Sequence, residues 1–365
     1  MTDTSPAATP DPRSRSSQGH GPGHCSAPVE MEHKMTDMQE LAREARIGGT
    51  GTEKAREVAL IDLSGYETRK AEIADQLWEA ATGLGLFQIT GHGIPLDQIE
   101  EAFALAEAFF ALPEPAKAAL PLRPGTNAGW EFKSQIRPST GTPDQKESYQ
   151  ITLPRMSGLW PAEDALPGFR DRMLAFERAN WGVAMQVLDC FALKLGFAPG
   201  TFTAAHDPES PEYQSTLRLI HYLPLDSDKP GDFEGWRAGA HTDFDCLTLL
   251  HQKTGQGGLQ VAPGSEAETG EWTSVEPVTG VITCNIGDML MRWSDDRLLS
   301  NPHRVRMPRP DEYLGPRYSM PFFAQANRDV ILQGPAGKYP PITAADYITE
   351  RIRANYEALQ ARNPD

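Results

Sequence analysis

From Thr216 onward the chain breaks into short pieces separated by turn residues: TLRLIHYLP, CLTLLHQ, GLQVAP, EWTSVEP, VITCNIGDML, HRVRMP and RYSMPFFA. Pieces of this length, rich in β-branched and aromatic side chains, read as strands, and a series of them predicts a sandwich or a barrel. Upstream the spacing is helical instead. Ile73, Leu77 and Ala81 fall at i, i+4 and i+8 before Gly83 and Gly85, and Ile99, Phe103, Ala106 and Phe110 form a second stripe that ends at Pro113 and Pro115. A long helix is expected from about Phe169 to Leu195, stopped by Gly196, and the segment YPPITAADYITERIRANYEALQ reads as a return to helix. Short strands are expected at 58–63 and in GLFQITGHGIP. The fold class is therefore α+β with a mainly β core.

Four segments follow from this texture. Residues 1–56 are crowded with Pro, Gly, Ser and Thr and read as a disordered tail, because so few aliphatic side chains cannot offset the entropy of ordering. His20, His24, Cys25 and His33 in that tail lack the fixed geometry a metal needs, and Met31 and Met35 are alternative starts. Residues 57–200 form a region of helices and strands, 201–330 the β-rich core, and 331–365 a C-terminal helical segment. The Pro-, Gly- and Thr-rich stretch 121–143 reads as a long loop bordering a site.

With 34 basic and 50 acidic residues the net charge is −16, which repels nucleic acid and anionic membrane surfaces. No apolar run approaches the roughly 18 residues needed to span a bilayer, and no signal peptide is recognisable, so the expectation is a cytoplasmic protein. Cys25, Cys190, Cys246 and Cys284 form no C-x-x-C pair and read as reduced thiols. G-x-S-x-G, a complete P-loop and a well-placed G-x-G-x-x-G are missing, which lowers the hydrolase, NTPase and dinucleotide readings.

The chemistry concentrates in AGAHTDFDCLTLL, residues 238–250. If this is a strand, His241 and Asp243 project from one face, and an imidazole beside a carboxylate can supply two ligands to a divalent metal. An isolated H-x-D is more often a satisfied surface pair, so a further signal is needed. SNPHRVRMP supplies His303 in the same β-rich region, and two histidines with one carboxylate match the facial triad of non-haem Fe(II) oxygenases. Downstream, Arg317 and Ser319 in RYSMPFF are again two apart, so a guanidinium and a hydroxyl share a face suited to a carboxylate. Asp245 would face the same way as the ligands on a regular strand, and reads as a neighbour of the site rather than a ligand.

H-x-D, the downstream NIGDMLMRWSDDRLLSNPHRV and R-x-S together resemble the isopenicillin N synthase-like branch of the Fe(II)/2-oxoglutarate-dependent dioxygenases. LGLFQITGHGIP and FFALPEPAK are similar to that family's N-terminal region, and YPPITAADYITERI to its C-terminal segment. The resemblance implies a double-stranded β-helix, or jelly roll, flanked by helices. It implies that His241, Asp243 and His303 are iron ligands and that Arg317 and Ser319 bind the distal carboxylate of 2-oxoglutarate. RLIHYLP resembles the strand whose tyrosine bonds the co-substrate, which points to Tyr222, although Leu223 intervenes before the expected proline; an ordinary buried tyrosine is the alternative. Asn285, Ile286, Gly287 and Asp288 resemble the family's turn and strand signature and read as structural.

The implied enzyme uses Fe(II), 2-oxoglutarate and O2. It hydroxylates, desaturates or cyclises a small organic substrate while 2-oxoglutarate becomes succinate and CO2. Two other readings stay open at this point: an Fe(II) oxidase of the same fold without 2-oxoglutarate, and a non-catalytic jelly-roll binding module. Trp130, Phe132, Arg137, Tyr149, Trp293 and Phe323 are candidates to line the substrate pocket, each with plain packing as an alternative role. The oligomeric state and the substrate are not legible.

Overall fold

The structure, a computed structural model, describes residues 51–137, 141, 143–229, 235–266 and 268–362. In chain order the first half contains β1 (Thr52–Glu53), β2 (Leu60–Asp62), α1 (Tyr66–Thr82), β3 (Leu86–Thr90), α2 (Leu96–Phe110), α3 (Glu114–Ala118), β4 (Gly129–Phe132), β5 (Lys146–Ile151) and α4 (Phe169–Leu195). Then come α5 (Thr201–Ala205), β6 (Thr216–Tyr222), β7 (Ala238–His241), β8 (Leu247–Gln252), β9 (Leu259–Val261) and β10 (Glu271–Ser274). The chain continues through β11 (Ile282–Ile286), α6 (Asp288–Trp293), β12 (His303–Val305), β13 (Arg317–Ala324), β14 (Ile331–Leu332), β15 (Ile342–Thr343) and α7 (Ala344–Arg362).

The strands build a major sheet in the order β2-β3-β11-β8-β13-β6-β5-β4 and a minor sheet in the order β1-β10-β9-β12-β7. From β6 to β13 the chain repeatedly changes sheet: β6 is in the major sheet, β7 in the minor, β8 in the major, β9 and β10 in the minor, β11 in the major, β12 in the minor and β13 in the major. This alternation makes the jelly roll, two open sheets face to face with a short β14–β15 pair beside them.

Period-two alternation gives the major sheet two different faces. Leu217 and Leu219 of β6, Leu247 and Leu249 of β8, Cys284 of β11 and Met320 and Phe322 of β13 all point outward into one large core. The helices complete that core with the stripes expected from sequence. Ile73, Leu77 and Ala81 of α1 and Ile99, Phe103, Ala106 and Phe110 of α2 are all buried in it. The long helix α4 has the expected bounds; Gly196 closes it in the left-handed region, at φ 84°, where its N–H bonds to Ala192 O. The other face of the major sheet looks toward the minor sheet across a smaller cluster of Ile220, Tyr222, Ala238, Leu259, Val261 and Val305.

Three expectations need correction. The presumed tail lies outside the described residues up to residue 50, but β1 falls inside the expected 1–56 boundary and pairs in parallel with Glu271 and Trp272 of β10. The stretch 121–143 is not simply a loop. Gly129–Phe132 is a full antiparallel partner of β5, because main-chain pairing to a sheet edge outweighs the local turn composition. VITCNIGDML is also not one strand: it divides at Gly287 into β11 and the one-and-a-half-turn helix α6.

One buried group on α4 gives this architecture a measurable pH dependence. Burial pushes the Glu177 carboxyl up to about 7, against the opposing effects of the Tyr213 hydroxyl, which donates to Oε1 at 2.5 Å, and of Arg178. A carboxyl with a raised folded pKa stabilises the fold fully only below its unfolded value, and the contribution is lost as pH rises through the folded value. Between pH 4.5 and about 7 the protein is expected to lose on the order of 3 kcal/mol through this group. Urea denaturation of Glu177→Gln should show a shallower decline over that range than the unaltered protein; equal slopes would refute the assignment.

Candidate active site

His241 ends β7 and His303 begins β12, and the two are direct partners across the minor sheet. Their ring centroids lie 4.3 Å apart. His241 Nδ1 is 2.7 Å from Gly239 O, and His303 Nδ1 is 3.2 Å from Asn301 O. A carbonyl oxygen only accepts, so each Nδ1 carries the proton and each Nε2 presents its lone pair. Burial, then the electrostatic influence of Arg137, His303 and Lys146, holds His241 well below its ordinary pKa and keeps it neutral.

Asp243 reaches these rings by a route that strand alternation does not describe. Strand β7 stops at His241, so Asp243 sits in the turn, residues 242–246, that carries the chain from the minor sheet to β8 in the major sheet. Its carboxylate is aimed by hydrogen bonds instead: Thr248 Oγ1 donates to Oδ2 at 2.6 Å and Asn285 Nδ2 donates at 3.1 Å. Oδ1 is 3.9 Å from His241 Nε2, and Oδ2 is 3.7 Å from His303 Nε2. Burial alone would raise this carboxyl, but His303, Thr248, Asn285 and Arg137 hold it below its ordinary value. One ligand atom from each of His241, Asp243 and His303 falls within 4.8 Å of the others. Two imidazoles and one carboxylate converging in this way fit a divalent metal of the Fe(II) type.

The turn itself is clamped. The Asp288 backbone N–H donates to Asp243 O at 2.8 Å, and Thr242 Oγ1 donates to Asp288 Oδ2 at 2.9 Å. Buried Arg351 of α7 forms an ion pair with that same Asp288 oxygen, and its guanidinium lies 4.9 Å from the Phe244 ring centre. Gly287 is required by close approach: a Cβ there would lie 2.2 Å from Asp245 O. Asp245 is fully buried and is not among the three converging residues. Burial, followed by the Asp243 charge, pushes its carboxyl well above the ordinary value.

His241, Asp243 and His303 line a cavity of about 150 Å³ between the two sheets. At one end Arg317 and Tyr222 are cross-strand partners, with Ser319 beside them on the same face of β13. Arg317 Nε donates to Gln256 O at 3.0 Å and Gly257 O at 3.1 Å, and its guanidinium lies 4.6 Å from the Tyr222 ring centre. Further along the same floor are Arg218 and Phe323, with Arg137 and Lys146 at the wall.

Of the pocket candidates, only Arg137 and Phe323 line this cavity. Tyr149 is core: its hydroxyl donates to Leu159 O at 2.5 Å and its ring centre is 4.2 Å from that of Phe109. Trp293 packs on Phe202 at 4.9 Å, Trp130 donates to Glu147 Oε2 at 2.8 Å, and Phe132 is exposed. Sequence reasoning gave Asn285 only a structural role and missed Thr248, Lys146 and Arg218. The last had a usable signal, since Arg218 is four residues from Tyr222 and shares its face of β6.

Comparison with known proteins agrees with the geometry. The profile of the 2OG-Fe(II) oxygenase superfamily matches residues 213–326, and that of the non-haem dioxygenase in morphine synthesis N-terminal family matches residues 58–164. The 2-oxoglutarate-Fe(II) type oxidoreductase hxnY of Emericella nidulans is 34% identical over 318 residues, covering 80% of this chain and 87% of that protein. A 2-oxoglutarate-dependent dioxygenase of Didymella fabae is 33% identical, covering 72% and 82% respectively. Among solved structures, a full-length Neurospora crassa protein in complex with alpha-KG has a TM-score of 0.71 and 30% identity, over 84% of this chain and 98% of that one. The same Neurospora protein with alpha-KG and thymine has a TM-score of 0.71 and 29% identity, over 84% and 99%. The chain belongs to the 2OG-Fe(II) oxygenase superfamily. It is a 2-oxoglutarate-dependent dioxygenase, of a family that uses Fe(II), 2-oxoglutarate and O2. Among the described residues no helix is long and apolar enough to cross a membrane.

Because Thr248 aims the Asp243 carboxylate, Thr248→Val is expected to weaken Fe(II) binding about 10- to 100-fold while leaving the three ligand residues intact. Anaerobic Fe(II) titration by calorimetry measures this, and an unchanged affinity would remove Thr248 from the site.

Proposed function

We propose that His241, Asp243 and His303 hold Fe(II), that Arg317 and Ser319 hold the distal carboxylate of 2-oxoglutarate with Tyr222 also bonding the co-substrate, and that the enzyme hydroxylates, desaturates or cyclises a small organic molecule. The observation that carries this reading is the convergence of the three ligand atoms within 4.8 Å at a cavity that also contains Arg317 and Ser319. When bound, Fe(II) would supply the redox chemistry that lets O2, the oxidant, couple decarboxylation of 2-oxoglutarate to oxidation of a C–H bond.

The chain's own residues perform the remaining tasks. The carbonyls of Gly239 and Asn301 fix both imidazoles with Nε2 toward the metal position. Thr248 and Asn285 keep Asp243 ionised and aimed. Arg317 is buried, and anchoring its Nε on two backbone carbonyls gives the guanidinium a fixed orientation toward the anion it binds. Ile220, Leu250, Leu259 and Val305 line the same cavity with apolar surface that excludes water from the reacting centre. The Neurospora crassa complex with thymine supports a substrate of similarly small size for this chain.

His241→Ala should abolish Fe(II)-dependent conversion of 2-oxoglutarate to succinate. Arg317→Met should raise the KM for 2-oxoglutarate about 10- to 100-fold, the loss expected for a charged hydrogen-bond partner. Succinate release and O2 uptake, measured together with and without Fe(II), test both variants. Turnover that persists in His241→Ala, or an unaltered KM in Arg317→Met, would overturn the corresponding role.

A further inference from the structure

The cavity contains a second guanidinium that the co-substrate site does not use. Along β6 the side chains of Tyr222, Ile220 and Arg218 all face the cavity. Four residues of extended chain separate the two ends of that row by about 13 Å. Tyr222 lies under Arg317 at one end, so Arg218 sits at the other, with its guanidinium 5.1 Å from the Phe323 ring centre.

The hydrogen bonds around Arg218 go to no carboxylate, and its charge is offset only through space by Glu131 and Asp243. Its NH2 group donates to the neutral Gln150 Oε1 at 2.7 Å, and Nε is buried with no hydrogen-bond partner among the described residues. Besides Asp243, two carboxylates belong to this polar network, and both are engaged by other donors. Asp144 Oδ2 is 3.2 Å from Arg137 Nε and 3.0 Å from Lys146 Nζ, while its Oδ1 accepts the Gly239 N–H at 3.0 Å. Glu131 Oε1 accepts from Gln135, Ser148 and Gln150, and its Oε2 accepts from Ser134. Three cations, Arg137, Lys146 and Arg218, thus share this end of the cavity with Asp144, Glu131 and Asp243; Asp144 and Glu131 are taken by other donors and Asp243 is a candidate metal ligand, so no carboxylate among the described residues is hydrogen-bonded to Arg218. Keeping a partly buried guanidinium with an unmet donor is costly unless a ligand completes it.

We infer that Arg218 anchors the primary substrate and that this substrate is a small organic anion whose carboxylate binds the Arg218 guanidinium, with its body over Phe323. The inference rests on the proposed function, since it assumes that Arg317 serves 2-oxoglutarate and so leaves the Arg218 end for the second reactant. The Phe323 face and Gln150 already fix the guanidinium plane, so a planar carboxylate meets a donor with little freedom left to lose.

The test uses the anaerobic complex of the full chain with Fe(II) and 2-oxoglutarate, titrated by calorimetry with benzoate, phenylacetate and cyclohexanecarboxylate, each beside its primary amide, and with thymine as a neutral heterocycle. At least one carboxylate should bind about 10- to 100-fold more tightly than its amide, the range expected for a charge-assisted hydrogen bond. Arg218→Met, which keeps most of the side-chain stem, should reduce that preference to near parity. Arg218→Lys restores the charge and should recover part of the preference, which separates a lost charge from a lost fold. No carboxylate binding more tightly than its amide, thymine binding as tightly as the best carboxylate, or a preference that survives in Arg218→Met would each overturn the inference. Failure of Fe(II) and 2-oxoglutarate to form the complex at all would instead overturn the proposed function on which it rests.

Discussion

The site depends on one crossing of the chain from the minor to the major sheet. Residues 242–246 leave the strand that ends at His241 and enter the one that begins at Leu247, and every main-chain group exposed by the crossing needs a partner. The partners come from two elements. Asp288, Met289 and Gly287 donate to the carbonyls of Asp243, Asp245 and Cys246, and the Cys246 N–H is taken by Ala324 O of β13. A turn satisfied in this way has one conformation, and the carboxylate of Asp243 inherits it. The two histidines need less support because they are paired residues of a sheet, each with a nearby carbonyl to set its ring.

The inner face of the major sheet divides the cavity electrostatically. At the β13–β6 pair Arg317 is tied to backbone carbonyls, while at the β5–β6 pair a polar network of Lys146, Ser148, Gln150, Glu131 and Asp144 fills what would otherwise be apolar positions. Side-chain alternation lets one sheet serve both purposes: the same strands that carry Lys146, Gln150 and Arg218 inward carry Tyr149, Leu217 and Leu219 outward to the helices. The apolar core thus positions the polar floor without sharing any side chain with it.

Local periodicity made the helices legible: the stripes in α1 and α2 and the bounds of α4 require no knowledge of the rest of the chain. The strands after Thr216 and the joint order of His241, Asp243, His303, Arg317 and Ser319 were legible for the same reason, each being a short-range pattern. Strand β5 was not. Its residues KESYQI are mostly polar yet wholly buried, because Lys117, Glu131 and His221, distant in sequence, and the neighbouring Asp144 satisfy them. The position of Asp243 illustrates a different difficulty. The expected outcome, a carboxylate beside two imidazoles, is the one found, but its cause is a set of bonds from Thr248 and Asn285 and not the alternation of a continuous strand.

Arg351 ties the last helix to this arrangement through Asp288, which also holds Thr242 and the carbonyl of Asp243. The stretch that carries the family signature stops at residue 326, well short of that arginine. The smallest working unit is consequently longer than the stretch by which it is recognised. A chain trimmed to the signature would retain every candidate ligand and lose the brace behind one of them, so part of what shapes the candidate site lies outside the stretch that identifies the family.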